Sequence, residues 1–141
     1  MDERPMVSRP IVLVIKDGRE CMAMKLFRVS EIEKVVPTDP IFVGAATVQP
    51  LVNEGETFKS DMVNFGRGAR NKMHTHTSDQ MLVVTQGNGY IVTDSEKREI
   101  FPGDVVFIPA GERHWHGATE NSEMSHIHIV GKGSPCTVVG D

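Results

Sequence analysis

The sequence has little of what marks a secreted, membrane-spanning or disulfide-stabilised protein. Its two cysteines, Cys21 and Cys136, lie far apart and form no CxxC pair. A reduced cytoplasmic location is therefore expected, with a disulfide between them left open. No apolar run approaches the roughly 18 residues that a membrane-spanning helix needs. The charged, proline-containing start MDERPMVSRP does not have the character of a signal peptide. We expect a cytoplasmic protein with no membrane partner.

The sequence also lacks a surplus of basic residues and several motifs of common enzyme classes. Its net charge of −4 over 141 residues gives no reason to expect a nucleic-acid partner. It contains no Gly-x-Ser-x-Gly elbow and no P-loop. The segment GNG at 87–89 lacks the third glycine and the helix of a dinucleotide-binding fingerprint, and is typical of a hairpin turn. The length fits one domain.

What is present is a series of short strands separated by glycine, proline and polar turns. IVLVI at 11–15 predicts a first strand, and SEIEKVV at 30–36 predicts a short helix with a capping-box spacing, stopped by Pro37. From residue 41 onward the pattern is β, which is typical of a sandwich or barrel. The sequence therefore predicts an N-terminal strand and helix extension, 1–40, and an all-β domain, 41–141.

All six histidines fall in three His-x-His pairs, at 74/76, 114/116 and 126/128. Residues two apart in a strand point to the same face, so each pair presents two imidazoles side by side. Imidazole nitrogen is a good ligand for divalent first-row metals. Unrelated surface or core pairs are the alternative, chiefly for the third pair, where His128 could simply cap a strand edge.

Two further residues can join the first histidine pair. Gln80 begins the strand after the TSD turn, so a hairpin can return it beside His74 and His76. If Gln80 faces inward, Leu82 and Val84 share that face. His114 follows the next tight turn, PAGER, and a barrel can bring it into the same interior.

The spacing of these residues resembles the cupin family. Its first motif is a glycine, five residues, His-x-His, a short gap, an acidic ligand, six residues and a glycine. Here Gly68, His74, His76, Gln80 and Gly87 occur at that spacing, with glutamine in the acidic position.

The second cupin motif also matches without a gap. Gly103 is followed after five residues by Pro109 and Gly111, and His114 comes after two more residues. Ala118 stands where the motif usually ends in asparagine. The resemblance covers roughly residues 41–131.

The resemblance implies a double-stranded β-helix, or jelly-roll, barrel with a metal inside. Carried over by position, the metal ligands are His74, His76, Gln80 and His114. It implies one divalent transition metal, with manganese, iron, nickel and zinc all open. A neutral glutamine leaves the full charge on the ion, which favours Lewis-acid chemistry. The open alternative is that Gln80 only hydrogen-bonds nearby and water completes the site.

HTHxxxQ, PGDVV, HWHGA and Met-x-His together resemble a cupin subgroup that includes carboxymuconolactone-decarboxylase-associated cupins and manganese hydroxynitrile lyases. By position, His116 and His126 are implied as acid–base residues beside the metal. Residues 77–79, TSD, depart from the subgroup's proline-containing turn. The family also implies a homodimer.

Three functions follow as expectations. The first is a metalloenzyme, of lyase, isomerase or decarboxylase type, acting on a small oxygenated organic molecule. The second is an Fe(II)-dependent dioxygenase. The third is a non-catalytic barrel that senses or sequesters a small ligand, against which two non-ligand histidines argue mildly, because binding alone requires no proton carriers.

Overall fold

A computed structural model describes residues 13–16 and 19–141, with side chains described from residue 23 onward. This part of the chain contains fourteen β-strands, one 3₁₀ turn and no α-helix. The strands are β1 Leu13–Lys16, β2 Arg19–Met22, β3 Phe42–Val43, β4 Ala46–Val52, β5 Phe58–Phe65, β6 Arg70–Asn71, β7 His74–His76, β8 Gln80–Gly87, β9 Gly89–Thr93, β10 Lys97–Ile100, β11 Val105–Ile108, β12 His114–Ala118, β13 Met124–Gly131 and β14 Cys136–Val138. Among the described residues, none forms a helix with the length and hydropathy to cross a bilayer.

The strands form two large antiparallel sheets and one separate hairpin. Strands β1 and β2 pair only with each other. One sheet has the order β11-β8-β13-β5-β4. The other has the order β10-β9-β12-β6-β3, with β7 joined to β12 and β14 joined to β7. This arrangement confirms the predicted all-β jelly-roll barrel.

The barrel interior is filled from both large sheets. Phe65, Leu82 and Met124 of the five-stranded sheet are almost fully buried, and they belong to one cluster with Ile91 and Ile100 of the other sheet. Burying a large apolar side chain contributes about 1.5–3 kcal/mol, so this cluster is a main source of the barrel's stability. The cluster also forms an apolar surface beside the histidines.

Alternation along β8 decides which way Gln80 points. Gln80, Leu82 and Val84 are buried, whereas Met81 between them is exposed. This is the period-two pattern of a strand with one face on the core. Gln80 therefore faces the interior together with Leu82 and Val84, as the sequence predicted.

Two motif glycines are required by backbone geometry. Gly87 has φ of +68°, and a Cβ there would lie 1.7 Å from the carbonyl oxygen of Glu123. Gly111 has φ of +84°, and its N–H donates to the carbonyl of His76 at 2.9 Å. Only glycine adopts such a φ at little cost. The turn at Gly111 thus ties the start of β12 to β7.

Residues 29–35 of the N-terminal extension contact the five-stranded sheet, and the helical segment there is shorter than predicted. Residues 30–36 contain only the end of a 3₁₀ turn, Val29–Glu31, after which the backbone is extended. The side-chain amide of Gln49 on β4 donates to the carbonyls of Val29 and Ile32 at 2.9 Å each. Val35 exchanges two backbone hydrogen bonds with Val48. Contacts to the sheet therefore replace the helical hydrogen bonds.

Two expectations for the N-terminus lie wholly or partly outside the described residues. The predicted first strand, 11–15, overlaps β1, but residues 11 and 12 are not described. The side chain of Cys21 also lies outside the described residues. Cys136 is an exposed, free cysteine.

Candidate metal centre

Five of the six histidines line a cavity of about 230 Å³ inside the barrel. This is smaller than the roughly 300–1,000 Å³ typical of pockets for drug-sized ligands, so the cavity suits a small molecule. Larger depressions lie elsewhere on the described surface, but no histidine lines them. The cavity is lined by Asp39, Ile41, Phe42, Val48, Asp61, Val63, Asn71, His74, His76, Gln80, His116, His126 and His128.

His74 and His114 face each other across β7 and β12, as directly opposed residues of the ladder. Nδ1 of His74 lies 2.6 Å from the carbonyl of Lys72, and Nδ1 of His114 lies 2.8 Å from the carbonyl of Glu112. A carbonyl only accepts, so both Nδ1 atoms carry the proton and donate it. Each neutral ring therefore keeps its lone pair on Nε2, and a backbone partner of this kind is usual for a metal-binding histidine.

Gln80 contributes an oxygen beside one of these nitrogens. Its Oε1 lies 2.9 Å from Nε2 of His114. Neither atom has a proton to give to the other, because Nε2 of a neutral His114 is a lone pair and Oε1 only accepts. Donors bound to one metal at about 2.1 Å in neighbouring octahedral positions lie about 3 Å apart. This pair of facing acceptors therefore fits a shared cation.

His76 is the most incompletely paired residue of the cluster. Both of its ring nitrogens are buried, and neither has a hydrogen-bond partner. Its ring centroid lies 5.0 Å from that of His74 and 5.7 Å from that of His114. Leaving a buried polar group unpaired costs about 1–3 kcal/mol, and a metal on one nitrogen would offset part of this cost.

Three of the predicted ligands, His74, His76 and Gln80, line the cavity, and His114 lies against Gln80. The four do not form a complete coordination shell. Ligand atoms of His74, His114 and His116 lie within 4.8 Å of one another, and the same is true of His74, His76 and Cys136. His74 belongs to both groups. The chemistry of the donors thus fits a divalent metal, with His116 and Cys136 as additional neighbours that the sequence did not predict as ligands.

His116 differs from the predicted ligands because its two nitrogens have protein partners. Oδ1 of Asn71 accepts from the backbone N–H of His116 at 2.9 Å, which leaves the amide nitrogen of Asn71 as donor to Nε2 of His116 at 3.2 Å. Nδ1 of His116 then carries the proton and donates to Nε2 of His126 at 3.0 Å. Asn71, which no local sequence pattern marks, thus orients the predicted acid–base pair.

Burial keeps the cluster uncharged. Desolvation lowers the pKa of His74 to about 4 and that of His76 to about 3. It also lowers the pKa of His114, and it lowers that of His116 well below the usual value. The pKa of His126 falls to about 3, again mainly through desolvation. Neutral imidazoles are the form that binds metals and accepts protons.

Asp61 and His128 form a further contact that lines the cavity, and neither residue was predicted as part of the site. Nε2 of His128 lies 3.0 Å from Oδ2 of Asp61. Nδ1 of His128 lies 3.1 Å from the side-chain nitrogen of Gln80. The signal for His128 was its spacing from His126, which places both on one face of β13, whereas no local signal marked Asp61.

Cys136 lies directly opposite His76 in the pairing of β14 with β7. Desolvation raises the pKa of its thiol, so the protonated form is favoured. A protonated thiol is a weaker ligand and nucleophile than a thiolate. The raised pKa therefore argues against a nucleophilic role for Cys136.

The fold and this cluster define a small jelly-roll barrel with a histidine-rich, metal-compatible interior. The Cupin domain family matches residues 61–130. The (R)-mandelonitrile lyase of Granulicella tundricola is 38% identical over 91 residues, which cover 62% of this chain and 70% of that protein. The chain belongs to the cupin superfamily.

Solved structures give the same assignment. A cupin-like protein from Thermotoga maritima is 32% identical, with a TM-score of 0.73, and the match covers 77% of this chain and 87% of that one. The polyketide cyclase RemF from Streptomyces resistomycificus is 18% identical, with a TM-score of 0.75 over 83% of this chain and 86% of its own. At that identity, RemF supports the fold alone.

Proposed function

We propose that this cupin is a metal-dependent lyase that cleaves, and in reverse forms, the carbon–carbon bond of a small hydroxynitrile. The observation that carries the proposal is the pair of facing acceptors, Nε2 of His114 and Oε1 of Gln80, beside the orphaned nitrogens of His76. The similarity to (R)-mandelonitrile lyase supports the substrate class. The small volume of the cavity supports a small substrate.

The metal would be held by the predicted ligands His74, His76, Gln80 and His114. When bound, a divalent ion supplies Lewis-acid polarisation of a substrate oxygen. All four ligands are neutral, since burial lowers the histidine pKa values and the glutamine is an amide. Manganese, iron, nickel and zinc are all compatible with nitrogen and oxygen donors, so the proposal does not depend on which one is native.

The acid–base steps are assigned to His116 and His126. In the cleavage direction, the substrate hydroxyl would replace the Asn71 amide at Nε2 of His116 and give its proton to that lone pair. The carbon–cyanide bond breaks, and its electron pair leaves with cyanide as the carbonyl forms. Nδ1 of His116 can pass its proton to Nε2 of His126 across 3.0 Å. Because burial lowers both pKa values, the protonated pair readily returns the proton to cyanide and yields hydrogen cyanide.

Apolar side chains at the cavity support the acid–base role of His116 and His126. Val63 and Phe42 line it together with the histidines. The Phe65 ring contacts both acid–base residues, with centroids 6.0 Å from His116 and 5.6 Å from His126. Apolar walls exclude water and strengthen the electrostatic interactions of a bound substrate.

The test is elemental analysis of the protein as purified, followed by incubation of metal-loaded protein with mandelonitrile. We expect one divalent ion per chain and release of benzaldehyde and cyanide that stops when the metal is chelated. Metal-loaded protein without cleavage would overturn the lyase proposal. Oxygen uptake coupled to product from small phenols or diketones would favour the dioxygenase, and tight ligand retention without turnover would favour a binding barrel.

A further inference from the structure

Asp61, His128 and Gln80 form a line of hydrogen bonds that ends at the proposed metal site. Asp61 on β5 and His128 on β13 are directly opposed across the ladder. Gln80 on β8 lies diagonally from His128, because it pairs with Val130 while His128 pairs with Leu82. The three successive distances, from Asp61 through His128 and Gln80 to His114, are 3.0, 3.1 and 2.9 Å.

The positions of the protons between Asp61, His128 and Gln80 follow from the carboxylate of Asp61. The carboxylate of Asp61 only accepts, so Nε2 of His128 carries a proton and donates it. With its proton on Nε2, the imidazole of His128 offers a lone pair at Nδ1. The group facing that lone pair must donate, which selects the NH₂ of Gln80. The oxygen of Gln80 is thereby turned toward His114 and the metal site.

We propose that Asp61 and His128 are positioning residues that hold Gln80 in its ligating orientation and select an amide over a carboxylate at this position. The cupin motif has an acidic ligand here, and this chain has glutamine. A glutamate would set a carboxylate oxygen against the lone pair of His128 Nδ1, with no proton between them. The negative charge is instead carried by Asp61, two hydrogen bonds away from the ligand oxygen.

A neutral glutamine leaves the full charge on the metal ion, and its hydrogen bond to His128 fixes the orientation of its oxygen. A free glutamine side chain can turn either its oxygen or its nitrogen toward a metal, and the nitrogen does not bind. Partners that orient a ligand usually matter about 10–100-fold in metal affinity. The inference rests on the metal site of the proposed function, but it does not depend on the reaction.

The test is a four-protein comparison of Mn(II) affinity at pH 8: wild type, His128→Ala, Gln80→Glu, and the double variant. In the glutamine background we expect His128→Ala to weaken binding by about 10–100-fold. In the glutamate background the same truncation should strengthen binding, because a carboxylate has two equivalent oxygens and the opposing lone pair is gone. A merely structural role of His128 predicts a loss in both backgrounds.

A second measurement reads the positioning without metal. ¹⁵N NMR of the metal-free protein should find His128 protonated at Nε2 and unprotonated at Nδ1, and Asp61→Ala should abolish this preference. The opposite tautomer in the wild type, or equal Mn(II) affinity of wild type and His128→Ala, would overturn the inference alone. A wild type that binds no Mn, Fe, Ni or Zn would overturn the proposed function and this inference with it.

Discussion

Nε2 of His126 lies 3.0 Å from Nδ1 of His116, and both imidazoles are almost completely removed from solvent. Asn71 fixes the other nitrogen of His116 as an acceptor. The two rings therefore share one proton along a defined direction. If the two histidines act as a unit in catalysis, the kinetics of single and double variants will show it.

Replacing either member of the pair should remove catalysis and spare the metal. We expect His116→Phe and His126→Phe each to lower kcat for mandelonitrile cleavage by about 10²–10⁴-fold. The double variant should be little worse than the singles, because residues that act together are not additive. The check is steady-state kinetics with the metal content of each variant determined. Loss of the metal in His116→Phe would instead make His116 a ligand.

Strand β7 offers a matched comparison for the metal. His74→Ala removes a buried nitrogen donor, and we expect stoichiometric metal to be lost. Thr75→Ala alters the neighbouring residue, whose side chain points to the opposite face of the strand, and should keep the metal. Elemental analysis after dialysis measures both. Equal metal content in the two variants would move the site away from His74.

How much of this site was readable from sequence depends on how far apart its parts lie in the chain. His74, His76 and Gln80 follow from strand periodicity and one short turn. The orientation of Gln80 follows from the burial of Leu82 and Val84 on the same face. These are local signals, and spacing alone carries them.

The unpredicted parts depend on contacts between distant strands. Asp61 meets His128 only through the register of β5 with β13, and Asn71 meets His116, 45 residues away in the chain, only because β6 pairs with β12. No local pattern encodes either pairing. The helix predicted from the capping box at Ser30 was shortened for the same reason, because Gln49 and Val48 of β4 take its backbone hydrogen bonds.

The depressed histidine pKa values predict acid sensitivity of the metal-free protein. His126 binds a proton near pH 6.5 when unfolded but only near pH 3 when folded. Between these values the unfolded state holds more protons, so stability falls as the pH is lowered from about 6.5 toward 3. One such histidine changes the free energy of unfolding by up to about 1.4 kcal/mol per pH unit.

Urea unfolding of metal-free protein at pH 7.5 and pH 5 measures this effect. We expect a clearly lower midpoint at pH 5 for the wild type. The difference should be smaller for His126→Phe, which removes one of the titrating groups. Equal midpoints at the two pH values in the wild type would mean that the histidines are not buried in their neutral form.

The last prediction concerns Gln49, which fastens the N-terminal extension to the barrel. Its side chain is buried, donates to Val29 and Ile32, and accepts from Asn64 at 3.0 Å. Gln49→Leu leaves these partners unpaired, at a cost of about 1–3 kcal/mol for each buried group. We expect lower stability to urea and faster proteolysis within residues 23–40.

Thr47→Val is the matched control, because Thr47 lies two residues earlier on the same face of β4 and makes one hydrogen bond, from Asn64 at 3.2 Å. Its loss should lower stability by no more than about 1.5 kcal/mol and leave the proteolysis rate of the extension unchanged. Both variants lose a bond from Asn64, and only Gln49→Leu also loses the bonds to Val29 and Ile32. If Gln49→Leu is cleaved no faster than Thr47→Val, packing rather than these bonds holds the extension on the sheet.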